Sequence, residues 1–200
     1  VFRQYVLPFL RTGARKACEV EARRTTRELT VHLRSGDLLL VASASTNQSK
    51  FAPCAFFERV ANDFKFDHLR VITEPDMAHP CIKTLQRSHL NVTIQSKGPI
   101  EDACALMHAK HLAVGSISTF SQSMNRFNAD PGVHYDPFGP CEHEQENTTG
   151  VTCTETRSIS YCVEGIHQLR QGQNKVDWML NYQGHIRKVQ ESCDTDLLMR

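Results

Sequence analysis

The sequence predicts an α/β domain built on a mainly parallel sheet with helices on its faces. Three observations lead there. Short apolar, β-branched stretches alternate with helical stretches of about ten residues between positions 29 and 127. Polar residues gather where those strands end, at 34–37, 73–74 and 115–121, which is where ligands sit in parallel sheets. A chain of 200 residues, 40% of them hydrophobic, is long enough to bury the core such a domain needs.

The elements follow in order. "FRQYVLPFLRTGARKACEVEARR" carries apolar residues at helical spacing, with breaks expected near Pro8 and Gly13. "TVHL" is a strand, and Ser35, Gly36 and Asp37 after it form a turn signal. Residues 35–52 read as a long polar loop crowded with Ser43, Ser45, Thr46, Asn47 and Ser49. "PCAFFERVANDF" places proline at a first helical position and its apolar residues on one face. "HLRVITE" is a strand, "AHPCIKTLQR" a helix, "NVTIQS" a strand, "PIEDACALMHA" a helix, "KHLAVGS" a strand and "STFSQSMNRF" a helix. The alternation stops near "DPGVHYDPFGP". Beyond it, "CEHEQENTTGVTCTETRSISYC" reads as a disulfide-tied loop, and helices are expected around "VEGIHQLR" and "MLNYQGHIRKVQ". The expected organisation is an α/β domain over 1–138 with a cysteine-rich, helical extension over 139–200 packed on it.

A net charge of +1 and the lack of a long basic run argue against a nucleic-acid partner. No apolar stretch approaches the ~18 residues that span a bilayer, and the first residues do not read as a signal peptide. The expectation is an excised or mature portion of a longer product. Eight cysteines accompany three glycosylation sequons, at Asn47, Asn91 and Asn147, and together they indicate an oxidising lumen. Cys141, Cys153 and Cys162 lie in a segment too polar to order itself by packing, so at least one bridge is expected between positions 141 and 162.

Three constellations could carry chemistry. In a strand His32 and Arg34 fall on the same side, about 7 Å apart. Arginine's planar fork suits a phosphate, and Gly36 permits close approach of backbone. A solvent-facing edge strand with a structural Arg34–Asp37 interaction would account for the same residues. "GSISTFSQS" lies between a strand and a helix, where hydroxyls and free N–H groups make an anion site. Simple N-capping by Ser118 or Thr119 is the alternative. Glu101 and Asp102 open a helix, which the helix dipole alone explains. Asp102 could instead accept hydrogen bonds from a purine. Metal patterns are incomplete: Cys104, His108 and His111 have suggestive spacing, and "CEHE" has no second ligand pair.

Beyond these readings, "VHLRSGD" resembles the H-x-R-R-G-D motif of α1,2- and α1,6-fucosyltransferases and the H-L-R motif of protein O-fucosyltransferases. "EDACALMHAKHLAVGSISTFSQSMNRFN" is similar to their later motif, in the same order and separation. "FAPCAFFERV" and "VITEPDMAHPCIKTL" fit the elements between. The resemblance implies a Rossmann-like, three-layer donor domain, the C-terminal half of a two-domain GT-B enzyme. It implies inverting transfer of fucose from GDP-fucose to a glycan or glycoprotein acceptor, without a metal or other cofactor, in the Golgi lumen. His32 and Asp102 would then contact guanosine and Arg34 the β-phosphate, while Ser118, Thr119, Phe120 and Ser121 surround the phosphates. Gly36 and Glu74 join the donor site, and Asp37 and Glu74 are candidate bases. The family's second arginine is Ser35 here, and Gln122, Ser123 and Met124 replace an aromatic pair. An acceptor domain should precede the first motif, yet only about thirty residues stand before His32, so two alternatives stay open: a longer product with that domain and a membrane anchor ahead of Val1, or a reduced protein. Two further readings stay open: a transferase for another nucleotide sugar, and a non-catalytic, disulfide-stabilised binding module of the same fold.

Overall fold

The computed structural model describes residues 12–24, 27–34, 51–116, 118–127, 132–141, 156–166 and 174–193. Its strands are β1 (Leu29–Leu33), β2 (His68–Thr73), β3 (Asn91–Gln95), β4 (His111–Val114), β5 (Val133–Asp136), β6 (Arg157–Val163) and β7 (Ile186–Cys193). Its helices are α1 (Thr12–Ala22), α2 (Cys54–Phe64), α3 (Cys81–Arg87), α4 (Pro99–Met107), α5 (Thr119–Arg126) and α6 (Lys175–Leu180). The seven strands form one sheet in the order β3-β2-β1-β4-β5-β6-β7. All neighbours pair in parallel except β6 and β7, which are antiparallel. The first six strands follow the 3-2-1-4-5-6 order of a doubly wound sheet, so the fold is Rossmann-like α/β.

Strand alternation sorts the side chains into two cores. Leu29, Val31 and Leu33 of β1 join Leu69, Val71, Ala113 and Tyr135 on one face. There they pack against Phe56, Phe57 and Val60 of α2, Leu85 of α3 and Met179 of α6. Ile72, Leu112 and Val114 point to the other face, where Ala105 and Leu106 of α4 and Phe120 and Met124 of α5 cover them. Helix α1 lies on this second face, fastened to α4 by the Cys18–Cys104 disulfide, Cα–Cα 4.8 Å. The burial spacing of Phe56, Phe57, Val60 and Ala61 is why "CAFFERVANDF" is helical. It stops where Lys65 turns left-handed (φ 56°) and the Phe66 N–H returns to the Ala61 carbonyl.

The C-terminal third departs from the sequence reading. "VHYD" is a parallel strand, and the polar segment ending in "RSISYC" closes with β6. "IRKVQ", expected in a helix, lies in β7, and the helix before it is the short α6. "VEGI" ends β6 and turns at Gly165 (φ +78°), while 167–170 lie outside the described residues. The reason is lateral position. Strand β7 forms the outer edge of the sheet, so polar residues are permitted along it and the apolar alternation that marks a strand is diluted. The expected helical extension therefore supplies two strands to the same sheet.

The expected bridge within positions 141–162 is formed by Cys141 and Cys162, Cα–Cα 5.0 Å. Cys54 and Cys81, unassigned from the sequence, are also joined, Cα–Cα 5.1 Å. Asn91 is exposed at the start of edge strand β3, while Asn47, Asn147 and Cys153 lie outside the described residues. Among the described residues no helix is long and apolar enough to cross a membrane.

Candidate functional site

Strands β1 and β4 are neighbours, but the helices that follow them go to opposite faces, α2 to one and α5 to the other. That divergence opens a crevice beyond their carboxyl ends, the position at which doubly wound sheets take ligands. Glycine makes the closure of these two strands possible. The Gly115 N–H donates to the His32 carbonyl (3.1 Å), and the Ala52 N–H donates to the Gly115 carbonyl (2.8 Å). A Cβ at Gly115 would stand 3.1 Å from both Leu33 and Phe57.

His32 and Arg34 leave β1 at this crevice. The His32 imidazole is buried, with its ring centroid 5.9 Å from that of Phe120. Burial, and then the Arg34 charge, push its pKa down to about 4. His79, in the segment between β2 and α3, is also held at about 4 by burial and by the proximity of His32. Its Nδ1 accepts the Cys81 N–H at 3.2 Å, which leaves its proton on Nε2. Near pH 7 both imidazoles are therefore neutral hydrogen-bonding groups. Arg34 carries a permanent charge and remains part-exposed, with its Nε 3.9 Å from Glu74 Oε1 at the end of β2.

Around this pair the structure buries hydroxyls without partners. Thr73 Oγ1 at the end of β2, and Ser116 Oγ and Ser118 Oγ after β4, are enclosed and make no hydrogen bond. An unsatisfied buried hydroxyl costs about 1–3 kcal/mol, so finding them at adjacent strand exits is unusual for a purely structural edge. Ser118 occupies the N-cap position of α5, yet its side chain makes no capping bond. Simple capping by Ser118 thus does not account for "GSISTFSQS". Ser121 is buried and donates to the Ser118 carbonyl (3.3 Å), Thr119 is exposed, and Phe120 lies against His32.

Asp102 stands further along the edge, after β3. Its carboxylate accepts from Gln95 Nε2 (2.8 Å) and from the N–H groups of Lys97 (3.4 Å) and Gly98 (3.3 Å), which ties the segment entering α4 to the helix's first turn. Gly36 and Asp37 lie outside the described residues. The incomplete metal pattern loses its thiolate, because Cys104 is bonded to Cys18. Among the described residues no group of three or more His, Cys, Asp or Glu is arranged to hold a metal ion. Comparison of the chain with protein-family models, curated proteins and solved structures finds no match.

Local chemistry therefore carries the functional argument. The crevice combines one fixed cation, two neutral imidazoles, three unpaired buried hydroxyls and an uncapped helix start. Such a set suits an oxygen-rich anion. The sequence pointed to His32, Arg34, Glu74 and the 118–121 segment, all of which lie at the exits of β1, β2 and β4. It did not single out His79, Thr73 or Ser116. Thr73 and Ser116 were legible only as polar residues at strand ends, and His79 only as a histidine before a helix.

Proposed function

We propose that this crevice holds the diphosphate of a nucleotide sugar. In this reading the chain is the donor-binding half of a GT-B, metal-independent, inverting glycosyltransferase with GDP-fucose as donor and a glycan or glycoprotein as acceptor. The observation that carries it is the set of unpaired buried hydroxyls beside Arg34 at the β1/β4 divergence. The resemblance of "VHLRSGD" and "GSISTFSQS" to fucosyltransferase motifs supplies the choice of donor. Three disulfides fit a secretory lumen.

The chemistry follows from where charge develops. As the bond between the sugar's anomeric carbon and the β-phosphate oxygen breaks, negative charge grows on the departing diphosphate, and the acceptor oxygen attacks from the opposite side. Arg34 is placed to meet that charge with two parallel N–H donors, aided by the Ser116 and Ser118 hydroxyls and the first amides of α5. Glu74 steadies Arg34; as a part-exposed pair their mutual attraction is worth no more than about 1 kcal/mol. His32 and His79, both neutral, are assigned to the nucleoside side. Asp102, engaged by Gln95 and the Lys97 and Gly98 amides, is left out of the contacts.

Titration calorimetry with GDP, GDP-fucose and UDP tests this. GDP and GDP-fucose should bind the chain and UDP should not. Arg34→Ala should weaken GDP roughly ten- to hundredfold with unchanged circular dichroism, the loss expected for a charge-assisted hydrogen bond. Arg34→Lys should recover only part, since an ammonium lacks the fork. In a complete enzyme Arg34→Ala should raise the barrier by about 2.7–4 kcal/mol. Preference for UDP would move the reading to another nucleotide sugar. No nucleotide binding by the folded chain would favour the non-catalytic module.

A further inference from the structure

A second concavity lies beyond the carboxyl end of β6, apart from the crevice. It is an open cavity of about 300 Å³, at the lower end of the range of small-molecule sites. Its aromatic wall is Trp178 and Tyr182, packed edge to face with centroids 4.9 Å apart. Among the described residues Glu164, Asn174, Asp177, Asn181, Gln183 and Gly184 complete the lining, and none of them is a Lys or Arg.

Both rings are seated deliberately by the chain. Trp178 Nε1 donates to the Phe51 carbonyl (3.1 Å), and the Tyr182 hydroxyl donates to the carbonyls of Glu164 (3.1 Å) and His185 (2.9 Å). Glycine stands where each ring meets backbone. A Cβ at Gly165, which has a positive φ of 78°, would come within 3.2 Å of the Trp178 ring, and one at Gly184 within 2.5 Å of the Tyr182 oxygen. A side chain at Gly184 would push the Tyr182 hydroxyl aside, and one at Gly165 would crowd the Trp178 ring on a strained backbone, so glycine suits both positions.

The polar groups are half used. Asn174 Oδ1 accepts the Asp177 N–H (3.1 Å), which leaves its amide N–H groups to donate. Asn181 Nδ2 donates to Asp177 Oδ1 (2.7 Å), which leaves Asn181 Oδ1 and Asp177 Oδ2 to accept. Glu164 Oε2 accepts from the His185 N–H (3.3 Å), and its second oxygen remains for a ligand. Both donors and acceptors are thus left over beside an aromatic wall. That arrangement matches a ring with vicinal hydroxyls on its rim and C–H bonds on its face. The described lining offers an anion no cation, and an organic cation would not need the three amides.

We propose that the Trp178–Tyr182 cavity is a saccharide-binding subsite for a neutral sugar ring. Through Phe51, which bridges to Ser116, its wall is hydrogen-bonded to the segment that borders the crevice. A sugar held here would lie on the same carboxyl edge of the sheet. The inference stands on this cavity alone and does not need the nucleotide reading.

Trp178 is the chain's one tryptophan, so intrinsic fluorescence reports this cavity directly. The full chain should be titrated with lactose, N-acetyllactosamine, chitobiose and cellobiose, with choline as the cationic control. At least one disaccharide should give a saturable change in Trp178 emission in the millimolar range. Asn181→Ala and Gln183→Ala, both at exposed positions, should weaken that response about tenfold without altering the thermal midpoint, the loss of roughly 1.4 kcal/mol. No saturable response to any of the four, an unchanged response in both variants, or saturation by choline in preference to the sugars would overturn the proposal. Calorimetry with GDP reads different groups, so either site can fail while the other holds.

Discussion

His32 shows at the scale of one residue how position converts a side chain's chemistry. An exposed histidine titrates near 6.5, whereas His32, buried against Phe120 and beside Arg34, titrates at about 4, as does His79. Between those values the unfolded chain binds protons that the folded chain excludes. Stability is therefore complete above about pH 6.5 and is lost as the pH falls toward 4, by about 3 kcal/mol for one such histidine. Glu21 acts in the same direction lower down. Burial favours its neutral form, but the Arg70 hydrogen bond and nearby positive charges outweigh that and depress its pKa, so its contribution is lost as the pH drops below the ordinary carboxylate range. Urea midpoints measured from pH 7.5 to 5 should decline, and His32→Phe should flatten the decline. An equally steep slope in His32→Phe would show that His32 does not carry it. The sequence announces His32 and Arg34 as a pair leaving a strand. It cannot announce that the imidazole stays neutral, because that depends on α5 closing over it.

At the scale of elements, the crevice depends on where helices begin. The Cys54–Cys81 disulfide joins the first residues of α2 and α3, 27 positions apart, on the face where those helices follow β1 and β2. Its closure should stabilise the fold by about 3–4 kcal/mol in the chain-entropy model, and it also sets the spacing of two strand exits. The double variant Cys54→Ala/Cys81→Ala should lower the thermal midpoint by about 10 °C and weaken GDP binding. Cys141→Ala/Cys162→Ala removes a bridge spanning 21 positions and should lower the midpoint comparably while leaving GDP affinity intact. Calorimetric midpoints and GDP isotherms on both variants check this, and equal affinity losses would sink it.

The whole molecule is held along its second face by a buried ionic network. Arg70 of β2 donates to both oxygens of Glu21 on α1 (2.6 Å each) and also to Gln95 of β3, whose amide reaches Asp102 of α4. Glu28, just before β1, adds a second carboxylate 3.6 Å from Arg70. Arg70 is 5% exposed, so its removal leaves Glu21 and Glu28 facing each other's charge, with Arg24, His68 and Lys97 as the remaining neighbours to offset it. Breaking such a pair costs about 3–5 kcal/mol. Arg70→Leu should therefore lower the thermal midpoint by roughly 10 °C, while the paired change Arg70→Leu/Glu21→Leu should regain much of it. Differential scanning calorimetry checks both, and a midpoint within a few degrees of wild type for Arg70→Leu would refute the network's role.

Local pattern alone determined the alternating elements from β1 to α5, the parallel sheet, and the strand ends at which polar residues collect. Those features follow from residue spacing and turn chemistry, which are properties of neighbours along the chain. A bridge within positions 141–162 was legible for the same reason, as a short closure in a polar segment, while the structure decided that Cys141 and Cys162 form it. Tertiary structure decided what depends on lateral position. It made β6 a strand by pairing it between β5 and β7, and it made β7 one at the edge of the sheet, which tolerates polar residues that hide the period. It joined Asp102 to Gln95 and to the Gly98 amide, and it left Thr73, Ser116 and Ser118 buried without partners, since hydrogen bonds are assigned only when distant segments meet. It also raised Trp178 and Tyr182 into one wall, where the sequence led only to an expected helix around "MLNYQGHIRKVQ".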